Sequence, residues 1–401
     1  MRIIYIHQYF ATPGMAGGTR SYEFAKRLVL NGHKVTVITS IQNPMAKGEL
    51  KETNEDGIKV QWIPIPYSNK MNYRERSKSF IKFAWMAYRC ARKIECDIVF
   101  ATSTPLTVAI PGVYAARKHK VPFVFEVRDL WPEMPIAVNA LRNPFAIKVA
   151  RKLEMFAYQN AKHIIALSPG MKKGVMETGY PESEISVIPN FCNSLLFGSE
   201  NASEEVKKSL DKFRGKKIVL YAGTFGKINN LSYLVEVAKE SQKISDDVIY
   251  LIVGDGSEKE KIIKEATKNG VLNKNFFMFP QASKDQMPAF FRTADITLSL
   301  FADIKEMWSN SANKFFDGLA SGRPVAINYQ GWQAEILTSR NAGIVLPSSD
   351  AKRGAQLINQ LLCDKLKMAR MAKNALNLAQ QEFSNTTAFE KFEHVLINAK
   401  G

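Results

Sequence analysis

The sequence has no run of about 20 uninterrupted apolar residues, the length a helix needs to cross a bilayer. Its beginning, Met1-Arg2-Ile3-Ile4-Tyr5-Ile6, also lacks the charged, apolar and cleavage regions of an export signal and goes straight into a strand. The expectation is a cytoplasmic, non-spanning chain. Cysteine is scarce too. Cys90, Cys96, Cys192 and Cys363 form no close Cys-x-x-Cys pair and have no histidine cluster nearby, which excludes a disulfide framework and a zinc site of ordinary spacing. No Asp-x-Asp stands at a strand end, so no metal site is expected. Acidic residues are in deficit, 38 against 55 Lys+Arg, a formal charge of +17. That excess points to a polyanionic partner: nucleic acid, an anionic bilayer surface or diphosphate substrates. The lysines are scattered and no recognised reading module occurs, which argues against nucleic acid.

What is present is ample apolar material, 46% hydrophobic residues in a chain of 401, enough for two domains. The first half alternates strands and helices. Arg2 to Phe10 reads as a strand, followed by Gly14, Gly17 and Gly18, a helix from Ser21 to Leu30, and a second strand from Lys34 to Ser40. Gly17-Gly18 at a helix start lets backbone approach a phosphate or sugar. The absence of Gly-x-Gly-x-x-Gly and of an acidic residue ending the second strand argues against a dinucleotide-binding dehydrogenase. Further strands follow at Ile58 to Tyr67, Asp97 to Ala101, Phe123 to Val127 and His163 to Leu167. A linker is expected over Asn193 to Ser203, which is polar and rich in small residues. The second half restarts the rhythm with strands at Lys217 to Gly223, Val248 to Gly254, Phe276 to Gln281 and Ala294 to Leu300. The expected fold is α/β, two doubly wound parallel-sheet domains facing across a cleft.

The most informative stretch is Ser311 to Asn328. Ser311 and Asn313 are good helix caps, Phe315, Phe316 and Leu319 form an apolar stripe, Gly322 can end the helix, and Val325 to Ile327 reads as a buried strand. An ordinary βαβ crossover would look the same. A helix start holding a lysine with an acid one turn inside also suits a ligand carrying phosphate and sugar hydroxyls, Lys314 meeting the anion and Asp317 accepting from a ribose diol.

This pattern, Asn-Lys-x-x-Asp-x-x-Ala-x-Gly-x-Pro-Val, resembles the nucleotide-sugar signature of the retaining glycosyltransferases of family four, which have the GT-B fold. The resemblance covers essentially the whole chain. It implies domains at 1–195, binding acceptor, and 203–383, binding nucleotide-sugar, with a helix at about 384–401 packing back on the first. By the same likeness Gly17 and Gly18 lie beside the donor diphosphate, Gly254 turns near the base, and Gln281 flanks it. The loop after the fifth strand carries Arg128 and Asp129 where the family often has a histidine near the donor sugar. An ion pair of Arg128 with Asp129 or Glu133 is the simpler reading of that loop.

Two departures stand out. Counting from Gly223, the family's diphosphate-binding arginine and lysine are replaced by Thr224 and Asn229, so Lys227 and Lys314 are the expected substitutes. The first of the family's paired glutamates falls on Ser309, leaving Glu306 as the nearby candidate. Catalytic roles are thus expected of Arg128, Asp129, Lys314 and Glu306. Donor binding is expected of Gly17, Gly18, Gly223, Thr224, Lys227, Gly254, Gln281, Ser311, Asn313 and Asp317. The combination of His-Gln-Tyr-Phe, Gly-Gly-Thr-Arg-Ser-Tyr-Glu-Phe-Ala and Val-Arg-Asp-Leu-Trp-Pro-Glu is similar to WbuB-like enzymes of O-antigen and capsule synthesis. These use UDP-N-acetyl-fucosamine, here a substrate with no cofactor beside it, and a lipid-linked saccharide acceptor. A GT-B epimerase or phosphorylase is the rival enzyme class, separated by acceptor-dependent release of UDP.

The helix expected over Tyr73 to Ile94 has two apolar faces. Phe80, Phe83, Ala84, Ala87, Cys90, Ala91 and Ile94 should lie on the sheet. Ile81, Trp85 and Tyr88, flanked by Lys78, Arg89 and Arg92, form a patch suited to the anionic inner face of the cell membrane.

Overall fold

The structure is a computed structural model that describes residues 1–15, 17–41, 48–66, 71, 73–198, 204–283 and 286–401. It contains two α/β domains, each wound around one sheet. The first sheet is formed by β1 (Arg2–Ile6), β2 (Lys34–Ser40), β3 (Lys51–Glu55), β4 (Ile58–Ile63), β5 (Ile98–Thr102), β6 (Phe123–Val127), β7 (His163–Ala166) and β8 (Ile185–Val187). Its order is β3-β4-β2-β1-β5-β6-β7-β8, parallel except for the β3–β4 hairpin. The second holds β9 (Lys217–Ala222), β10 (Val248–Val253), β11 (Phe276–Phe279), β12 (Ile296–Ser299), β13 (Val325–Ile327) and β14 (Gly343–Val345), all parallel, in the order β11-β10-β9-β12-β13-β14. Strands covered by helices on both faces need continuous apolar runs, and β5, β6 and β10 are buried throughout. In each sheet the chain winds first to one side and then to the other, so a crevice opens beside β1 in one domain and β9 in the other.

Several element ends differ from expectation. β1 stops at Ile6, because the chain turns at His7 to Phe10, where the Phe10 amide donates to the His7 carbonyl. The β3–β4 hairpin was not anticipated, and the long helix ends at Ala91 instead of Ile94. Of the expected linker, Ser194–Gly198 is helical and 199–203 lies outside the described residues.

The last helix, Asn385–Lys400, belongs in space to the first domain. Phe389, Phe392, Val395 and Leu396 join the cluster of Tyr5, Phe24 and Phe100 beneath the first sheet. The Phe392 ring stacks on Phe24 at 4.5 Å and meets Phe100 edge-on at 5.0 Å. Burying one such aromatic stabilises by roughly 1.5–3 kcal/mol, so this helix is an integral part of that core. The chain passes between the domains twice, and the two passages are tied together: the Cys192 amide donates to the Phe383 carbonyl at 2.7 Å.

Candidate donor site

The ends of β9, β10 and β11 emerge level. Ala222 pairs with Val253 and Val253 with Phe279, so Gly223 and Gly254 follow side by side. The Gly223 amide donates to Val253 and the Gly254 amide to Phe279. Gly254 has φ +150 and a Cβ there would stand 2.0 Å from the Gly223 carbonyl oxygen, so position 254 takes no side chain without backbone movement.

Facing this edge is the helix Asn313–Ala320, whose Phe315, Phe316 and Leu319 are buried and hold it against the sheet. Its cap is not the expected one. Ala312 occupies the N-cap, and Ser311 serves the domain junction instead: its Oγ accepts from the Asn190 amide at 2.9 Å, while its carbonyl accepts from the Asn190 side chain at 2.6 Å. Gly322, at φ +63, follows the helix end.

Lys314 runs back across Gly223, where an added Cβ would lie 2.8 Å from its Cδ and 3.3 Å from its Nζ. The ammonium sits over the rings of Phe301, at 5.3 Å, and Tyr221, at 5.6 Å. Asn328 fixes Phe301 by accepting from its amide at 2.8 Å and donating to its carbonyl at 2.9 Å. Burial lowers the Lys314 ammonium to about 8, a shift that the Asp317 charge opposes.

A cavity of about 870 Å³ fills the cleft. Gly17, Gly18, Gly223, Thr224, Gly254, Gln281, Asn313, Lys314 and Asp317 all line it. The remaining expected residues do not. Lys227 is turned away by the tight turn ending at Asn230, with φ 45, and lines a separate cavity of about 160 Å³ beside Glu258 and Lys261. Glu306 is exposed on the turn Lys305–Ser309 and Ser311 faces the junction. The place of the missing glutamate, Ser309, is crowded: its carbonyl accepts from Ser168 Oγ, and a Cβ on Gly170 would stand 2.3 Å from its own Oγ.

Arg128 and Asp129 follow β6 in the first domain, and neither is among the residues that line the cavity. Glu133 pairs with Arg151 at 3.8 Å, while Arg128 turns to His7, Nη1 to Nε2 3.4 Å. Burial pushes the half-buried Asp129 carboxyl up to about 6, against the pull of the Arg128 charge. Leu130 packs on Gly174 and Trp131 on the core of the first domain, so the apolar residues after Arg128 do not line the cavity.

Of the cleft residues that the sequence reading gave no role, two polar ones stand out. Arg20, at the start of the helix Arg20–Leu30, lines the cavity yet is fully engaged, with Nε and Nη2 on Glu126 Oε2 at 3.0 and 2.8 Å, Nη1 on the Pro189 carbonyl and Nη2 on the Ile188 carbonyl. Its signal was an arginine four and eight residues before Phe24 and Leu28, a cation on an apolar face. Asn190 also lines the cavity, its Oδ1 buried with no partner among the described residues. Among the described residues no group of three His, Cys, Asp or Glu comes together that could hold a metal ion.

Residues 17–194 match the family described as Glycosyltransferase Family 4, and residues 202–378 match Glycosyl transferases group 1. The chain is similar to the putative colanic acid biosynthesis glycosyl transferase WcaI of Escherichia coli (strain K12), 27% identical over 304 residues, 72% of this chain and 74% of that protein. It is also similar to the UDP-N-acetylglucosamine–N-acetylmuramyl-(pentapeptide) pyrophosphoryl-undecaprenol N-acetylglucosamine transferase of Caldicellulosiruptor saccharolyticus, 24% identical over 343 residues, 83% of each chain. In fold it resembles Anabaena Alr3699/HepE, solved in complex with UDP and glucose, with a TM-score of 0.73 at 18% identity, covering 99% of this chain and 100% of that one.

Proposed function

As the chain is a GT-B glycosyltransferase of family four, we propose that it transfers a sugar from a UDP donor, with retention of configuration, to a saccharide carried on undecaprenyl diphosphate in O-antigen or capsule synthesis. The observation that carries this reading is the donor helix, which brings Lys314 and Asp317 into one cavity with Gly223 and Gly18. Lys314 and backbone amides stabilise the departing diphosphate, and Asp317 accepts from the ribose diol. WcaI by its name works in colanic acid synthesis, HepE holds UDP, and the Caldicellulosiruptor enzyme acts on an undecaprenol-diphosphate substrate, which supports the donor and acceptor classes.

For the sugar, the reading is a 6-deoxy N-acetylated hexose, N-acetyl-fucosamine first and N-acetyl-quinovosamine second. A site that bonds a hydroxyl rejects donors lacking it. Arg128 stands where the family's hydroxyl-binding histidine is often found. With Leu130 and Trp131 directed elsewhere, that replacement alone supports the choice. In an assay of UDP release with a lipid-diphosphate sugar as acceptor, kcat/KM for UDP-N-acetyl-fucosamine should exceed that for UDP-N-acetyl-glucosamine and UDP-N-acetyl-galactosamine. A preference for either hydroxylated donor overturns the sugar and leaves the transferase.

The acceptor places the enzyme at a membrane, and the outer side of the first domain suits one. Ile81 and Trp85 on the helix Tyr73–Ala91 are 64% and 58% exposed, with Arg89 4.7 Å from the Trp85 ring. Tyr88 leads through Tyr114 to Phe156, and Phe145 and Val149 stand out on the helix Pro144–Asn160. Among the described residues no helix is long and apolar enough to cross a membrane, and the proposed contact is this surface. Each basic residue adds about 1 kcal/mol near anionic lipid. Trp85→Ser combined with Lys78→Glu should abolish flotation with anionic vesicles while circular dichroism stays unchanged; unaltered flotation contradicts the surface.

A further inference from the structure

The leaving diphosphate must find its positive charge in fewer places than the family pattern offers. Thr224 and Asn229 occupy the usual cation positions, and Lys227 belongs to another cavity. Of the basic side chains that line the cleft among the described residues, Arg20 is committed to Glu126 and two carbonyls, and Lys259 lies 3.7 Å from Asp255. Lys314 remains, on the second domain. In the first domain, just behind that lining, the Arg128 Nη2 stands 4.0 Å from the point where a Cβ on Gly18 would be, and Asn313 Nδ2 stands 3.2 Å from the same point. A guanidinium of the first domain, the glycine loop and the start of the donor helix therefore converge.

Arg128 is held there by an unusual partner. His7 is 3% exposed, and burial followed by the Arg128 charge keeps its ring well below 6.5, hence neutral. A guanidinium can only donate, so His7 Nε2 accepts and the ring proton lies on Nδ1, which has no partner among the described residues. A carboxylate hydrogen-bonded in this position would orient the arginine and cancel its charge; a neutral imidazole orients it without doing so, and the neighbouring Asp129 carboxyl acts on it through charge alone. The Arg128 amide is fixed as well, donating to Ser103 Oγ at 3.0 Å.

We propose that Arg128 is a catalytic residue, the first domain's cation for the departing diphosphate opposite Lys314, and that His7 is its positioning residue. The proposal rests on the reading of this cleft as the donor site and not on the identity of the sugar. In the transfer the bond from the anomeric carbon to the β-phosphate oxygen breaks with its electron pair on that oxygen. The acceptor oxygen bonds the anomeric carbon, and its proton passes to the leaving phosphate. Charge grows on the phosphate between the two domains, so a cation from each side meets it only when the cleft is closed.

Calorimetric titration of UDP and of uridine tests this. Arg128→Ala and Arg128→Gln should weaken UDP about ten- to a hundredfold, with a comparable fall in kcat, and leave uridine unchanged. His7→Phe should give a smaller loss of the same kind, and His7→Gln, whose amide oxygen can accept, should recover part of it. Unchanged UDP affinity in both Arg128 variants, with the loss confined to donor discrimination or acceptor KM, overturns the proposal. So does loss of uridine binding in both, which makes the role structural. Failure of the unmodified protein to bind uridine instead removes the donor-site reading beneath it.

Discussion

Replacing Lys314 by alanine is expected to lower kcat/KM for the nucleotide-sugar about ten- to a hundredfold, the effect of one charge-assisted bond of roughly 1.5–3 kcal/mol. Asp317→Ala should act on the same donor through the ribose, weakening UDP and uridine alike, whereas Lys314→Ala spares uridine. The pH dependence follows from which state holds the proton. Burial brings the Lys314 ammonium from 10.5 to about 8, so between those values the unfolded chain binds more proton than the folded one. The cost of burying the charge is present in full below about pH 8 and fades as pH rises to 10.5, so Lys314 contributes a rise of free-enzyme stability with pH across that window. Donor use runs the opposite way, falling above about pH 8 as the amine loses its proton. Lys314→Arg should flatten that limb. Full activity of Lys314→Ala at limiting donor, or a wild-type profile flat to pH 10, contradicts the assignment.

The second large effect is on stability. The Arg20 and Glu126 side chains are 3% and 0% exposed, and Glu126 Oε1 also accepts from Thr102 at 2.7 Å. Arg20→Ala leaves a carboxylate buried without its counter-charge and should destabilise by about 3–5 kcal/mol. That is a large share of the 5–15 kcal/mol typical of folded proteins. Arg20→Met with Glu126→Leu removes both charges and should recover part of the loss, the Ile188 and Pro189 carbonyls still lacking their donor. Urea unfolding decides it: a single variant as stable as wild type, or a double variant no better than the single, rules the account out.

Much of the fold was legible because buried parallel strands write themselves as apolar runs between turn residues. β2 and β6 fell within their expected bounds, as did the Asn313–Ala320 helix with its phenylalanine stripe. β3 was not legible, since Lys-Glu-Thr-Asn-Glu carries no apolar alternation. It is held by backbone pairing and by polar cross-strand contacts, Gln61 to Glu52 and Trp62 to Thr53. In the cleft, the glycines and the Lys314–Asp317 pair were readable because their roles follow from local spacing. Lys227 and Glu306 were chosen by nearness in sequence, and the direction of a side chain leaving a tight turn is decided by dihedral angles that nearness does not report. Ser311 looked like a cap and became a junction contact, because a tertiary partner, Asn190, took its oxygen. Arg20 and His7 could be recognised only once Glu126 and Arg128 had been brought to them from far along the chain.

The helix Asn385–Lys400 has a bearing on how the molecule is made. A ribosome delivers the strands of the first domain early, but the aromatic side chains that complete the core around Phe24 and Phe100 come only after the whole second domain has been translated. Vectorial folding, one domain finished before the next begins, is therefore closed to this chain. Until that helix has been made, the nascent first domain lacks the side chains that cover Phe24 and Phe100 beside β1 and β5, the sort of apolar surface that chaperones shield.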